Sequence, residues 1–227
     1  MQEFVDTLNS IIWSNALIFL ALGAGLFFSI QTRFLQVRLL REMVRLIFSG
    51  KSSEKGISTF QALSVSLSGR VGTGNIAGVA AAIAFGGPGA VFWMWVVAFL
   101  GASTAYVEST LGQIYKEEDR GQYRGGPAYY IEKAMGAKWY AIFFAIITII
   151  ATGMLLPGVQ ANAIGNAAVE ALGEGSIIET IIGPLSTTTI TVTSVILVIL
   201  GFIIFGGVKR IANFTQVVVP FMALSYV

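Results

Sequence analysis

The residue types with the clearest chemistry lie together in the stretch Gly72-Thr73-Gly74-Asn75, inside a segment that is otherwise apolar. Two glycines around one residue lower the cost of leaving helical geometry. Freed backbone N–H groups at the start of a half-helix near Asn75 can donate to an anionic ligand group. Freed carbonyl groups and the Asn75 side-chain oxygen can hold a sodium ion. The break therefore suits adjacent sites of opposite sign, such as those for an amino acid carboxylate and Na⁺.

These glycines have two other interpretations, of which the first stays open and the second is weaker. Small residues such as Gly78 also permit close helix packing in membranes, and spacing alone does not separate packing from binding. A nucleotide-binding loop is a weaker interpretation, because the spacing G-x-G-x-x-x-G misses the dinucleotide fingerprint by one residue. No strand is predicted before the stretch, and no phosphate-binding lysine follows it.

Composition places the element that carries this stretch in a membrane. Of the 227 residues, 55% are hydrophobic and 11% are charged, whereas soluble domains carry about 25% charged residues. The chain has no cysteine and no histidine, which excludes disulfides and any site built on Cys or His ligands. The net charge of +2 is too small to indicate a nucleic-acid partner.

Hydropathy predicts an all-α integral membrane protein with about six transmembrane helices, the second of them broken. The first segment is a retained helix rather than a signal peptide, since its apolar part is too long and no basic region precedes it. The last segment reaches Val227 without a polar tail, so we expect the natural chain to continue. The six segments run roughly over residues 11–30, 59–85, 88–112, 139–168, 186–206 and 211–227.

Lysine and arginine alternate between the predicted connections, and this predicts the orientation. The connections at 31–58 and 113–138 and the short one before 211 are basic, whereas the turn at 86–89 and the connection at 162–184 contain no lysine or arginine. By the positive-inside rule, the N-terminus lies outside and the basic connections lie in the cytoplasm.

Two connections have a helical pattern of their own. In RFLQVRLLREMVRLI, apolar residues at helical spacing lie opposite arginines, which is typical of a helix in the membrane interface. A basic linker that only sets topology is an equally good interpretation. The segment GGPAYYIEKAMG predicts a similar short surface helix.

The run GTGNIAGVAAAIAFGGPGAVFWMW closely resembles the signature of the sodium:alanine (alanine or glycine:cation) symporter family. STAYVESTLGQIYK, GGPAYYIEKAMG and GMLLPGVQANAI also resemble that family, so the resemblance runs through most of the chain. It implies a secondary transporter of the amino acid–polyamine–cation type, with a five-plus-five inverted-repeat core. Residues 1–58 would be an extra N-terminal transmembrane helix with its basic cytoplasmic connection. Residues 59–227 would be the first inverted repeat, and the second repeat is absent from this sequence.

The function that the resemblance implies belongs to the complete protein. It is sodium-coupled symport of a small neutral amino acid, alanine or glycine, across the plasma (inner) membrane. No enzyme activity and no cofactor are implied. Na⁺ is the coupling ion, and the partners are the amino acid, the lipid bilayer and the missing C-terminal repeat. The alternatives are a transporter of the same fold with another substrate or H⁺ coupling, and a non-transporting half that acts in assembly.

The resemblance also assigns site residues in this sequence. Thr73, Gly74 and Asn75 would contact the substrate carboxylate, with Gln160 as a second polar arm of the pocket. Gly72 and Asn75 would serve the cation. For Gln160, an inter-helical hydrogen bond is the alternative interpretation. Arg70 is a candidate for an inner gate or for stabilising the broken helix, because an intramembrane arginine is costly and usually has a partner.

Overall fold

Helices dominate the computed structural model, which describes residues 2–49, 56–119, 121–180 and 183–226. Two π-helical turns, Gly74–Gly78 and Ala151–Leu155, interrupt the α-helices. The helices are α1 Gln2–Ile12, α2 Asn15–Gln31, α3 Leu35–Arg38, α4 Leu40–Ser49, α5 Thr59–Arg70, α6 Val79–Gly86, α7 Gly89–Ile114, α8 Pro127–Met135, α9 Lys138–Ile150, α10 Leu156–Leu172, α11 Thr187–Ile204 and α12 Gly207–Tyr226.

Four of the described helical segments are long and apolar enough to cross a bilayer: Gln2–Gln31, Gly89–Ile114, Lys138–Leu172 and Thr187–Ile204. They coincide with four of the six predicted spans. The predicted span at 59–85 is divided into α5, the first π turn and α6. The predicted span at 211–227 lies in α12. This helix has Lys209 and Arg210 in its first turn and Pro220 in its interior. The count of six therefore stays a prediction.

Two short antiparallel hairpins correct the expectation of an all-helical chain. β1 (Glu117–Asp119) pairs with β2 (Gln122–Arg124), and β3 (Ile177–Thr180) pairs with β4 (Gly183–Ser186). Hydropathy windows of about 19 residues detect spans but average out strands this short. Both hairpins lie in connections between the long helices.

Local side-chain chemistry fixes where several helices begin. Ser58 and Gln61 form a capping box at the start of α5, with Gln61 N–H donating to Ser58 Oγ at 3.2 Å and Ser58 N–H donating to Gln61 Oε1 at 2.9 Å. Such a box satisfies two N–H groups that would otherwise lack a partner. Gly87 turns the chain between α6 and α7 with a φ of +68°, a conformation that glycine adopts readily.

The first compact unit comprises Met1–Leu46 and Ala80–Ala141. In it α2 packs along α7, and the fully buried Ser29 and Ser103 join the two helices with an Oγ–Oγ distance of 3.1 Å. α8 also packs on α7, and an ion pair of 2.8 Å links Lys133 of α8 to Glu117 of the first hairpin. Burial raises the pKa of the Tyr130 phenol in α8, and the charge of Glu108 adds to that effect.

The second compact unit comprises Ile47–Val79 and Ile142–Val227. α5 packs extensively against α12, and Gln61 Nε2 donates to Asn213 Oδ1 across that contact at 2.8 Å. α10 packs on α11. The break at residues 70–78 and helix α10, which carry the predicted site residues, both belong to this unit.

Candidate functional site

The predicted break in the second apolar segment is present at the predicted residues. α5 ends at Arg70, and Val71 has an extended backbone with φ −99° and ψ 115°. A helical course resumes with the π turn Gly74–Gly78, which leads directly into α6. The chain therefore leaves helical geometry between Arg70 and Gly74 and frees backbone groups there.

Amide side chains satisfy two of these freed N–H groups. Gly72 N–H donates to Asn75 Oδ1 at 3.2 Å, and Thr73 N–H donates to Gln160 Oε1 at 3.3 Å. The carbonyl of Gly72 in turn accepts from Asn75 N–H at 3.0 Å. Through these bonds, Asn75 and Gln160 together hold the break in its present shape.

Gln160 approaches Gly72 so closely that a side chain at position 72 would displace its amide. A Cβ atom at Gly72 would lie 2.5 Å from Gln160 Nε2 and 3.4 Å from its Cδ and Oε1 atoms. The amide plane of Gln160 thus lies directly against the backbone of the break. A Cβ at Gly74, by contrast, would meet nothing within 4 Å, so the space beside Gly74 is open.

Gln160 is placed by a second irregular helix. α9 and α10 are joined by the π turn Ala151–Leu155, and Pro157 lies in the first turn of α10. Proline has no N–H group, and its ring clashes with the carbonyl four residues earlier. A π turn relieves this conflict by widening the helix locally. Gln160 follows Pro157 by about one turn.

The broken segment and the α9–α10 segment border an open groove of about 740 Å³. Its lining contains no charged side chain, and its polar side chains are those of Thr73, Asn162 and Asn166. Asn166 Nδ2 donates to Asn162 Oδ1 at 2.9 Å. The groove is lined by Thr73, Gly74, Ala77, Gly78, Leu155, Gly158, Val159, Asn162, Ala163 and Asn166.

The chemistry available at this groove is that of neutral dipoles. Among the described residues, no group of three or more His, Cys, Asp or Glu side chains could hold a metal ion. A cation here would therefore be held by carbonyl and amide oxygens, which suit hard cations. An anionic group would be held by backbone N–H donors of the break.

Five of the six predicted site residues meet at the break: Gly72, Thr73, Gly74, Asn75 and Gln160. Of these, Thr73 and Gly74 line the groove, whereas Gly72, Asn75 and Gln160 are not part of its lining. Arg70 is exposed at the end of α5 and has no hydrogen-bond or ion-pair partner within the described part of the chain. Its role stays a prediction.

Two asparagines of the groove were missed as site residues. Asn162 and Asn166 are four residues apart on α10 and therefore share a face with the groove lining. The signal was present in the sequence, because two amides at a spacing of four in an apolar helix mark one polar face. In the sequence, Asn162 stands in the run GMLLPGVQANAI, which carries the resemblance, but no role is predicted for it.

Comparison with known proteins places the whole chain in one family. The family model described as the sodium:alanine symporter family matches residues 1–227. YrbD of Bacillus subtilis, provisionally named a sodium/proton-dependent alanine carrier protein, is 59% identical over 100% of this chain and 44% of its own length. GlnT of Bacillus subtilis, provisionally named a sodium/glutamine symporter, is 42% identical over 100% of this chain and 45% of its own length.

A more distant relative comes from an archaeon. The sodium/alanine symporter AgcS of Methanococcus maripaludis is 37% identical over 99% of this chain and 49% of its own length. The chain thus spans slightly less than half the length of these curated relatives. No solved structure matches the chain.

Proposed function

The chain belongs to the sodium:alanine symporter family, and we propose on that premise that the complete protein is a sodium-coupled symporter of small neutral amino acids. The 227 residues would contribute one side of its binding site. The proposal rests on the glycine break. There, Gln160 of α10 accepts a hydrogen bond from the freed N–H group of Thr73. No enzymatic chemistry is part of the proposal.

The substrate carboxylate would bind at the break by exchanging acceptors. The N–H groups of Gly72 and Thr73 now donate to amide oxygens. A carboxylate is a stronger acceptor than a neutral amide, because hydrogen bonds to ionised groups are shorter and stronger. A bound amino acid would take these donors, with Thr73, Gly74 and Asn75 around its carboxylate. The amide of Gln160 would then turn to the substrate as a second polar arm.

Sodium would bind next to the carboxylate. We assign Gly72, through its carbonyl oxygen, and Asn75, through Oδ1, as ligands. Because both ligands are neutral groups, the bound carboxylate would be the anion that accompanies the cation. At a short distance in a low-dielectric site their attraction is large, so each would raise the affinity for the other. That reciprocal effect is what couples the two fluxes.

The finer architecture is part of the same proposal. Residues 1–58 would form an extra helix and a basic cytoplasmic connection, and residues 59–227 the first of two inverted repeats of about five helices. The second repeat would correspond to the part of the relatives that this chain does not match. In such folds the site lies between the repeats near the bilayer midplane, and rocking of one bundle exposes it alternately to each side. Arg70, near the break, would belong to the inner gate.

Sodium is favoured over the proton as coupling ion by the groove itself. Its lining contains no titratable side chain, and the chain has no histidine. A proton needs a group that titrates near working pH, whereas Na⁺ needs only oxygen ligands. For the substrate, the name of GlnT makes glutamine the second candidate after alanine.

The test is uptake of radiolabelled alanine by the complete protein in proteoliposomes. We expect an inward Na⁺ gradient to drive uptake and an inward K⁺ gradient to leave it at background. Gln160→Ala removes the second polar arm of the pocket and should raise the KM for alanine about tenfold, the equivalent of one hydrogen bond. Gln113→Ala is the matched control, since Gln113 contacts Lys116 at the end of α7.

Three other outcomes would change the proposal. Uptake that follows a pH gradient at equal Na⁺ concentration on both sides would identify H⁺ as the coupling ion. Uptake of glutamine in preference to alanine would identify glutamine as the substrate. Absence of uptake, together with no effect of alanine on thermal stability, would refute the transport proposal and favour an assembly subunit.

A further inference from the structure

The end of α2 is followed by a fixed corner. Arg33 and Phe34 have φ values of 55° and 50°, a left-handed conformation that non-glycine residues adopt rarely. Phe34 N–H donates to Ser29 O at 2.7 Å, and Arg33 N–H donates to Ile30 O at 2.9 Å. These bonds turn the chain out of α2 in a defined way.

α3 is anchored directly after this corner. Leu35 is only 2% exposed, and α3 contacts α7. Gln36 Nε2 donates to Ser29 Oγ at 3.0 Å, and Ser29 is fully buried. α4 begins two residues after α3 ends, so its start is held at the end of α2. Because α2 ends the candidate membrane span Gln2–Gln31, we expect a helix that starts at its end to lie at headgroup level.

One face of α3 and α4 is apolar and uncovered. Val37, Leu40, Val44 and Phe48 form a row at intervals of three and four residues, with exposed fractions of 62%, 58%, 49% and 82%. We call these four residues the apolar row. A second line of apolar residues, Leu39, Met43 and Ile47, is half-buried. The apolar row is thus the more exposed of the two apolar lines.

Arginines border the apolar row along its length. Arg38, Arg41 and Arg45 each follow a member of the row by one position and are all exposed. Arg38 reaches the Thr32 carbonyl at 3.4 Å, and Arg45 forms an ion pair with Glu42. Within the described part of the chain, Arg41 makes no hydrogen bond and no ion pair. Its guanidinium group is therefore available to a ligand beside the row.

We propose that this face of α3 and α4 binds an anionic phospholipid of the leaflet that surrounds the end of α2. The acyl chains lie along the apolar row, and the phosphodiester accepts hydrogen bonds from Arg41 and Arg38. Guanidinium matches phosphate geometry with two parallel donors. An apolar face with flanking arginines is the arrangement by which helices lie in an interface. The site does not depend on which substrate or ion the protein transports.

The experiment measures thermal unfolding of the purified protein in a neutral detergent, followed by tryptophan fluorescence. Phosphatidylglycerol or phosphatidylcholine with identical acyl chains is added in increasing amounts. We expect phosphatidylglycerol to raise the midpoint by about 3–5 °C more than phosphatidylcholine, as selective binding to the folded state does. Arg38→Gln with Arg41→Gln should remove at least half of that difference. Glycerol phosphate, which has the anion without acyl chains, should leave the midpoint unchanged.

Arg124→Gln is the matched control, because it removes one positive charge from the exposed β2 strand, where Arg124 pairs with Asp119. It should keep the full lipid effect. Equal shifts with both lipids would overturn the proposal, as would an equal loss in the Arg124 variant. If the double variant does not fold, Arg41→Gln alone is compared with Arg124→Gln on the same criterion. If phosphatidylglycerol does not shift the midpoint of the complete protein selectively, another part of the protein covers this face, and the proposal is overturned.

Discussion

At the scale of single residues, the site is a contact between backbone and amide side chains. The sequence predicts Gly72, Thr73, Gly74, Asn75 and Gln160 as site residues, and the structure places Gln160 at the break; their roles stay predictions. The sequence was not sufficient to predict that amide oxygens accept from the freed N–H groups. The bond from Thr73 depends on how close two segments 87 positions apart come, which local sequence does not determine.

Replacing Gly72 tests whether the approach of Gln160 matters for binding. In Gly72→Ala the new Cβ would lie 2.5 Å from Gln160 Nε2, so the side chain of Gln160 must move away from the position in which the proposal has it contact the substrate. We expect the affinity for alanine to fall about 3- to 10-fold, the range for one hydrogen bond. Isothermal titration with the complete protein measures it.

Gly69→Ala is the control for the Gly72 substitution. Gly69 lies in α5 just before the break, and a Cβ there meets nothing within 4 Å. Its alanine variant should bind alanine as the wild type does. Equal affinity in both variants and the wild type would show that the contact between Gly72 and Gln160 does not shape the site.

At the scale of elements, prediction succeeded where one residue type dictates geometry. The break followed from two glycines, the turn between α6 and α7 from Gly87 and Pro88, and α8 from its periodicity. The π turn before Pro157 was missed, although a proline inside an apolar segment is its signal. The hairpins were missed because three or four residues of strand depend on pairing rather than on periodicity.

The contact between α2 and α7 gives an element-scale prediction. Gly25 is buried against α7, and a Cβ there would lie 2.8 Å from Leu100 Cβ and 3.3 Å from the Leu100 backbone. Backbone cannot yield as a flexible side chain does, so Gly25→Ala must separate the helices. We expect a loss of about 1–3 kcal/mol of stability, typical of overpacking, measured by unfolding in mixed detergent micelles.

Gly23→Ala is the matched substitution on the same helix. A Cβ at Gly23 meets nothing within 4 Å. Because glycine is a poor helix residue, alanine there should leave stability unchanged or raise it by up to about 1 kcal/mol. Equal destabilisation by both variants would argue that α2 and α7 do not pack through Gly25.

At the scale of the whole molecule, the chain matches slightly less than half the length of its curated relatives. The groove at the break is open, and its described lining comes from two segments only. An amino acid in a transporter must be enclosed on all sides before it can be released to the opposite face. We therefore expect the remaining walls to come from the second repeat of the complete protein.

Orientation in the membrane is the whole-molecule property that the charges predict most directly. These 227 residues contain no cysteine, so this part of the protein needs no replacement before single-cysteine labelling in intact cells. Gln122→Cys lies in the first hairpin and Glu179→Cys in the second, and both positions are exposed.

Lysine and arginine surround the first hairpin, whereas residues 162–184 contain neither. The positive-inside rule therefore predicts that a membrane-impermeant maleimide labels Glu179→Cys at once and Gln122→Cys only after permeabilisation. The reverse order would invert the topology, and immediate labelling of both would place the two hairpins on one side and refute an odd number of spans between them.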